Sequence, residues 1–269
     1  MKLATLAAMV SLALPCSLAS MTWSQEQVTP ADRAPTLQEA IDAADPGDAV
    51  YADHYLPQIN EFIRVNRPLT LVGGTYRSIA FSGPGGGHAS LIGATVEPDY
   101  QYASPFASAG IYVSGFELVA VINSRVQATG YASYGQPQGA PALWAEAGTT
   151  LLLVGSEFRA TIGGYIPEAT CAAYYGGSPG VFTPGAVFAQ GSSFFGGGGA
   201  ANLWCEVNCP DGPQYTAPGA PGLIANRLWD RSCQFIGGPG AWWLNHPSVG
   251  DSGGWYTSSK ELKDRVLVR

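Results

Sequence analysis

Glycoside hydrolysis by general acid and base needs two carboxylates roughly 5 to 10 Å apart across a cleft. Between Val126 and Asn226 the acids are few: Glu146, Glu157, Glu168, Glu206 and Asp211. Glu157 faces outward by strand alternation and is followed two positions later by Arg159, which reads as a surface ion pair. Glu146 follows Trp144 at the same spacing, so ring and carboxylate share one side of a strand. A ring beside an acid could serve as a sugar platform. Further acids, Asp42, Asp45, Asp48, Asp53 and Glu61, lie near the N-terminus with His54. Asp42 and Asp45 suit the solvated side of a helix, and Asp48 suits a turn where a carboxylate binds backbone N–H groups. Asp53-His54 could be catalytic, but a turn role is preferred. His88 and His246 are isolated, and no Ser/His/Asp order or metal-ligand cluster stands out. The glycine runs Gly83–Gly87 and Gly196–Gly199 lack the lysine and helix start of a phosphate loop. No catalytic residue, metal or cofactor is therefore assigned.

Aromatic residues are the richer signal. Tyr131, Tyr134, Tyr165, Tyr174, Tyr175, Trp204 and Tyr215 sit in Gly/Pro-rich stretches. Exposed flat rings stack on the apolar faces of sugars; alternatively, such rings pin long loops in place. The candidate ligand-binding set is Tyr131, Tyr134, Trp144, Glu146, Tyr174, Tyr175 and Trp204. Trp242, Trp243 and Trp255 are expected to cover the last coil. Cys171, Cys205 and Cys209 lie in loops, and Cys171 is expected to pair with Cys205 or Cys209. A zinc site is the rival reading, disfavoured because no His is near. Cys233, two residues before Phe235, reads as a buried free thiol on a strand.

The elements that must position these residues begin at Thr36. Leu37, Ala40, Ile41 and Ala44 form one apolar stripe at i, i+3, i+4, i+7, predicting a helix. Thr36 and Glu39 have capping-box spacing, and Pro46-Gly47 stops the helix. Apolar β-rich runs follow: Ala49-Val50-Tyr51, Phe62 to Val65, Leu69 to Val72, and Ser90 to Val96. A degenerate repeat then emerges. Asn123-Ser124-Arg125-Val126, Gly155-Ser156-Glu157-Phe158, Gly191-Ser192-Ser193-Phe194 and Ser232-Cys233-Gln234-Phe235 share one form, their last residues 32, 36 and 41 positions apart. Coils of similar size with loops of variable length explain the uneven spacing, and the anchors should stack inside as a ladder. Such insertions usually map to one face of a repeat protein.

The helix with Pro46-Gly47-Asp48, Val50 and then Pro68-Leu69-Thr70-Leu71-Val72-Gly73-Gly74 resembles the N-terminus of secreted right-handed parallel β-helix proteins of the pectate-lyase-like superfamily. That resemblance implies an all-β right-handed parallel β-helix solenoid with a short N-terminal capping α-helix. It says little about activity, since the fold carries lyases, hydrolases and adhesins. Arg67-Pro68 lacks the spacing and second arginine of the pectate-lyase base segment. Gly87-His88-Ala89 is only a fragment of a polygalacturonase motif.

Lys2, the apolar run Leu3 to Leu14 and Ser17-Leu18-Ala19 predict a signal peptide over residues 1–19. Pro15 before Cys16 disfavours lipidation, and no later run is long enough to span a membrane. The expected plan continues with a leader over 20–35, the β-helix over 36–257 and a polar cap or tail over 258–269. Charged residues make up 12% of the chain, against about 25% in ordinary domains. The net charge of −7 and the scattered bases disfavour nucleic acid. The expectation is a secreted or extracytoplasmic protein, in the periplasm or at the cell surface. Its role would be non-catalytic, either structural or binding a polysaccharide or cell-surface glycan. The alternative is a polysaccharide lyase or glycoside hydrolase with a non-standard site.

Overall fold

The structure, a computed structural model, describes residues 36–55, 61–97, 109–128, 140–161, 177–198 and 219–238, with short strands at 242–243, 246–247 and 255–257. The expected signal peptide, leader and C-terminal tail lie outside the described residues.

Helix α1 (Leu37–Ala43) begins with both capping-box bonds. The Glu39 N–H donates to Thr36 Oγ1 at 3.2 Å, and the Thr36 N–H donates to Glu39 Oε2 at 3.1 Å. Its stripe Leu37, Ala40 and Ile41 is buried, and Gly47 takes the turn at φ +101°. Asp48 accepts from the Asp45 N–H at 2.8 Å, as a turn carboxylate should. The helix also closes a strand edge. The Gln38 amide donates to the Arg64 carbonyl at 2.9 Å and accepts from the Arg64 N–H at 2.8 Å. A side chain thus stands in for the neighbouring strand that a first coil lacks.

Strands follow in chain order: β1 (Ala49–Tyr51), β2 (Glu61–Val65), β3 (Thr70–Val72), β4 (Thr75–Ser82), β5 (His88–Ile92) and β6 (Thr95–Val96). Then come β7 (Ile111–Ser114), β8 (Leu118–Ile122), β9 (Arg125–Gln127), β10 (Leu143–Ala145), β11 (Thr150–Val154) and β12 (Glu157–Arg159). The series ends with β13 (Val181–Gln190), β14 (Ser193–Phe195), β15 (Leu223–Arg231), β16 (Gln234–Ile236), the two-stranded pair β17 (Trp242–Trp243) and β18 (His246–Pro247), and β19 (Trp255–Thr257). Seventeen strands form one sheet whose pairings are all parallel, and each strand pairs with its equivalent one coil away. This is consistent with a parallel β-solenoid. Three faces result. The first holds β2, the end of β4, β7, β10, the start of β13, the start of β15 and β19. The second holds β1, β3, β5, β8, β11 and the later halves of β13 and β15. The third holds the start of β4, then β6, β9, β12, β14 and β16.

Inward residues stack in rows. Ile79, Ile111, Leu143, Val181 and Leu223 line the first face, and Leu71, Leu91, Val121 and Leu153 the second, all buried. The repeat anchors form the third row: Val96, Val126, Phe158, Phe194 and Phe235. Phe158 and Phe194 stack with centroids 5.5 Å apart, and Phe194 and Phe235 at 5.1 Å.

The corner between second and third faces explains the rest of the repeat. Gly73, Gly93, Asn123, Gly155, Gly191 and Ser232 all have φ between +49° and +71° there. Ser90 to Val96, expected as one strand, is broken into two by this corner at Gly93. After Asn123, Gly155 and Gly191 the next residue is a serine whose hydroxyl replaces the interrupted ladder. Ser124 Oγ accepts from the Ala94 N–H at 3.1 Å, Ser156 Oγ from the Ser124 N–H at 3.1 Å, and Ser192 Oγ from the Ser156 N–H at 3.2 Å. Cys233 occupies the same place in the next coil. It is half-buried and precedes β16 instead of lying on a strand, which corrects the expected fully buried position. No described strand covers the far side of β16, so Cys233 and Phe235 lack the overlying coil that buries their counterparts.

Candidate ligand-binding site

Of the expected ligand-binding set, Trp144 and Glu146 are described. Tyr131, Tyr134, Tyr174, Tyr175 and Trp204 lie outside the described residues, as do Cys171, Cys205 and Cys209. The described residues contain one cysteine, Cys233, with a free thiol, so they hold no disulfide.

Alternation along β10 buries Leu143 and Ala145 and turns Trp144 outward, with Glu146 exposed just past the strand end. The ladder registers Tyr112, Trp144, Phe182 and Ile224 side by side on the outside of the first face. Trp144 is 36% exposed, and Tyr112 and Phe182 are half-buried beside it. The Tyr112 and Trp144 rings meet edge to face at 6.5 Å, and Trp144 and Phe182 at 5.9 Å. These contacts restrict the Trp144 ring without covering it.

Glu146 completes the group. The Tyr112 hydroxyl donates a hydrogen bond to Glu146 Oε1. That bond, then desolvation and the carboxylate's charge, push the Tyr112 phenol above its ordinary value, while a hydrogen bond with Ser114 pulls the other way. Glu146 is fixed by its backbone, whose N–H donates to the Val113 carbonyl at 2.9 Å, and by the turn at Gly148 with φ +91°. The arrangement offers a ring, a phenol and an anchored acceptor along one line of the sheet.

The other acids are placed elsewhere. Glu157 accepts from Arg159 Nε at 2.5 Å and lies 3.5 Å from Arg125 Nε on the third face, the expected surface pair. Glu97 joins Arg125 there at 3.7 Å. Glu117 precedes β8 on the second face. Asp53 and His54 occupy a short 3-10 turn, with His54 stacked on Tyr51 at 5.6 Å. Among the described residues no group of three His, Cys, Asp or Glu side chains could hold a metal, and no helix is long and apolar enough to cross a membrane.

Tyr112 and Phe182 were not singled out from the sequence, although a signal existed. Tyr112 and Trp144 are separated by the same 32 residues as the anchors Val126 and Phe158. Applying the anchor period to outward positions would have found the pair. Segments 98–108, 129–139, 162–176, 199–218 and 239–241 each leave after a third-face strand, and four of them return immediately before a first-face strand. The chain entering the Trp144 row therefore comes directly from the Gly/Pro-rich stretches that hold the other candidate rings. Compared with family models, curated proteins and solved structures, the chain matches none.

Proposed function

We propose that this is an exported right-handed β-helix protein, of the pectate-lyase-like kind its N-terminal segment resembles, that binds a neutral or weakly charged glycan without cleaving it. The observation that carries the reading is the registered row Tyr112–Trp144–Phe182 with Glu146 beside it. Registered strands hold the ring centroids 6.5 and 5.9 Å apart along one line, a spacing suited to successive units of an extended sugar chain. Trp144 supplies the stacking surface, and Glu146 accepts from sugar hydroxyls. The Tyr112 bond keeps that carboxylate oriented, so less conformational freedom is lost on binding. The apolar leader and Ser17-Leu18-Ala19 support export to the periplasm or cell surface.

The test is a glycan array followed by calorimetry on the mature chain, with a degradation screen on the same polysaccharides. Binding should fall about tenfold or more in Trp144→Ala, in line with the loss of a buried aromatic contact. Glu146→Gln should weaken it less. Binding undiminished in Trp144→Ala would remove the site, and release of unsaturated or reducing ends would replace the reading with lyase or hydrolase activity.

A further inference from the structure

On the second face β8 and the end of β11 are apolar on both sides. Inside, Val119, Val121, Leu151 and Leu153 are buried. Outside, the same strands present Leu118, Ile122, Leu152 and Val154, with Ile92 in the coil before and Phe188 in the coil after. Parallel strands with apolar residues on both sides are ordinarily covered on both sides. The outer face ends on Phe188 and Trp229, stacked at 4.5 Å and 42% and 49% exposed.

The central outer row is small along one half of the stack and grows along the other. Its members, in register, are Ala49, Thr70, Ser90, Ala120, Leu152, Phe188 and Trp229. Small residues occupy one half and large ones the other, with Ala120 at the midpoint. From this wedge we infer that the second face pairs with the second face of another copy of this chain, with the two stacks antiparallel. A two-fold axis along the strands through Ala120 sets Ala49 against the other copy's Trp229. It sets Thr70 against Phe188, Ser90 against Leu152, and the two Ala120 residues against each other. Each large side chain then meets a small one, so no two bulky residues hold the sheets beyond the separation of about 10 Å at which sheets pack. A parallel arrangement would set Trp229 against Trp229 and leave a gap at the other end.

Charge agrees with the antiparallel setting. Exposed Arg227 and Arg231 flank Trp229 at one end, and exposed Asp48 and Asp53 flank Ala49–Tyr51 at the other. Two-fold pairing brings the opposite signs together twice. Seven strands of up to about five residues give a face on the order of 500 Å². Two such faces bury about 1,000 Å², the lower bound for a specific contact, so the dimer should be reversible. A glycan fits this face poorly, because the aliphatic rows offer few partners for its hydroxyls. An anionic membrane would face Asp48 and Asp53. The pairing uses a different face from the Trp144 row and does not depend on it.

Sedimentation of the mature chain over a concentration series tests the inference. The wild type should show a monomer–dimer equilibrium, unchanged by Trp144→Ala. Ala120→Arg, which places two charges on the axis, should leave only monomer. Thr70→Phe alone should weaken the dimer about tenfold by overpacking against Phe188. The double variant Thr70→Phe with Phe188→Thr should recover it. A dimer tightened by Thr70→Phe, or unaffected by Ala120→Arg, would overturn the antiparallel pairing. So would a wild type that stays monomeric throughout, or one whose Trp229 responds to vesicles or polysaccharide instead of to self-association.

Discussion

Outside the third face, Arg125, Glu157 and Arg159 form a line of ion pairs, and the Arg159 guanidinium lies 4.1 Å over the Phe195 ring. Outside the second face, the same coils present Ile122, Leu152 and Val154. Inside, the two faces are alike, with rows of buried aliphatic and aromatic residues repeating at each coil. The interior is constrained by stacking, so every coil must supply an apolar residue that fits above and below its neighbours. The exterior has no such constraint. A charged exterior needs no partner, whereas an apolar one calls for a cover. What distinguishes this protein from any other stack of coils is therefore written in its outward residues.

Phenylalanines on the two faces give the sharpest contrast. Phe158 is fully buried in the third-face row, and Phe188 is 42% exposed outside the second. Phe158→Ala should cost about 3–5 kcal/mol, through lost burial and the cavity left between Val126 and Phe194. Phe188→Ala should cost about 1 kcal/mol or less in the monomer, mainly the stacking with Trp229. Denaturant unfolding at low protein concentration measures both. Comparable losses would mean that the outer row supports the coil as much as the inner one does.

A smaller effect sits at the corner joining the two faces. Ser156 Oγ is 3.1 Å from the Ser124 N–H and donates to the Val154 carbonyl at 2.9 Å. Ser156→Ala should leave that buried N–H without its acceptor, at a cost of about 1–3 kcal/mol. The same change at Ser193, on the outer side of β14, should cost within about 0.5 kcal/mol. Equal losses at the two serines would show that the corner hydroxyls are not structural.

How much of this was legible follows from the same division. The capping box, the helix stop and the anchor row were readable, because each follows from local spacing repeated along one chain. The third-face pair Glu157 and Arg159 was readable from alternation on a single strand. Tyr112 beside Trp144 was not noticed, since it requires ladder register across 32 residues. The division of the outer row from Ala49 to Trp229 into small and large halves needs six registers at once. Gln38 bonding Arg64 was also hidden, because nothing in Gln-Glu-Ala-Ile says which strand edge lies beside the helix. Cys233 was misjudged for a related reason: alternation gives direction, but burial depends on whether another coil lies above.

On the third face, charge replacement should have little effect. Glu157→Gln removes the partner of Arg159 and one of the two partners of Arg125, yet these side chains are a third to a half exposed. The expected loss is about 0.5 kcal/mol or less, shrinking further in high salt. A loss several times larger would place the ion pairs on the same footing as the buried row beneath them, and would erase the contrast between the two faces.

The first face lies between these extremes, with an aromatic row beside the Glu146 carboxylate, and its electrostatic signature is the smallest of all. Folding raises the Tyr112 phenol, chiefly because its hydroxyl donates a hydrogen bond to Glu146. The folded state therefore holds this proton more tightly than the unfolded chain does. The resulting stabilisation is complete below the ordinary tyrosine value of about 10 and is lost as pH rises through the higher folded value. Between those two points the wild type should lose stability with increasing pH, while Tyr112→Phe should be flat in that window once the contribution of the other tyrosines is subtracted. Difference ultraviolet titration of wild type against Tyr112→Phe isolates the one phenol. In Glu146→Gln the neutral amide can still accept the bond but carries no charge, so the phenol should move back toward 10. If the difference titration instead centres at or below 10 in the wild type, the Tyr112–Glu146 bond is not maintained in solution, and the carboxylate beside Trp144 is left to water.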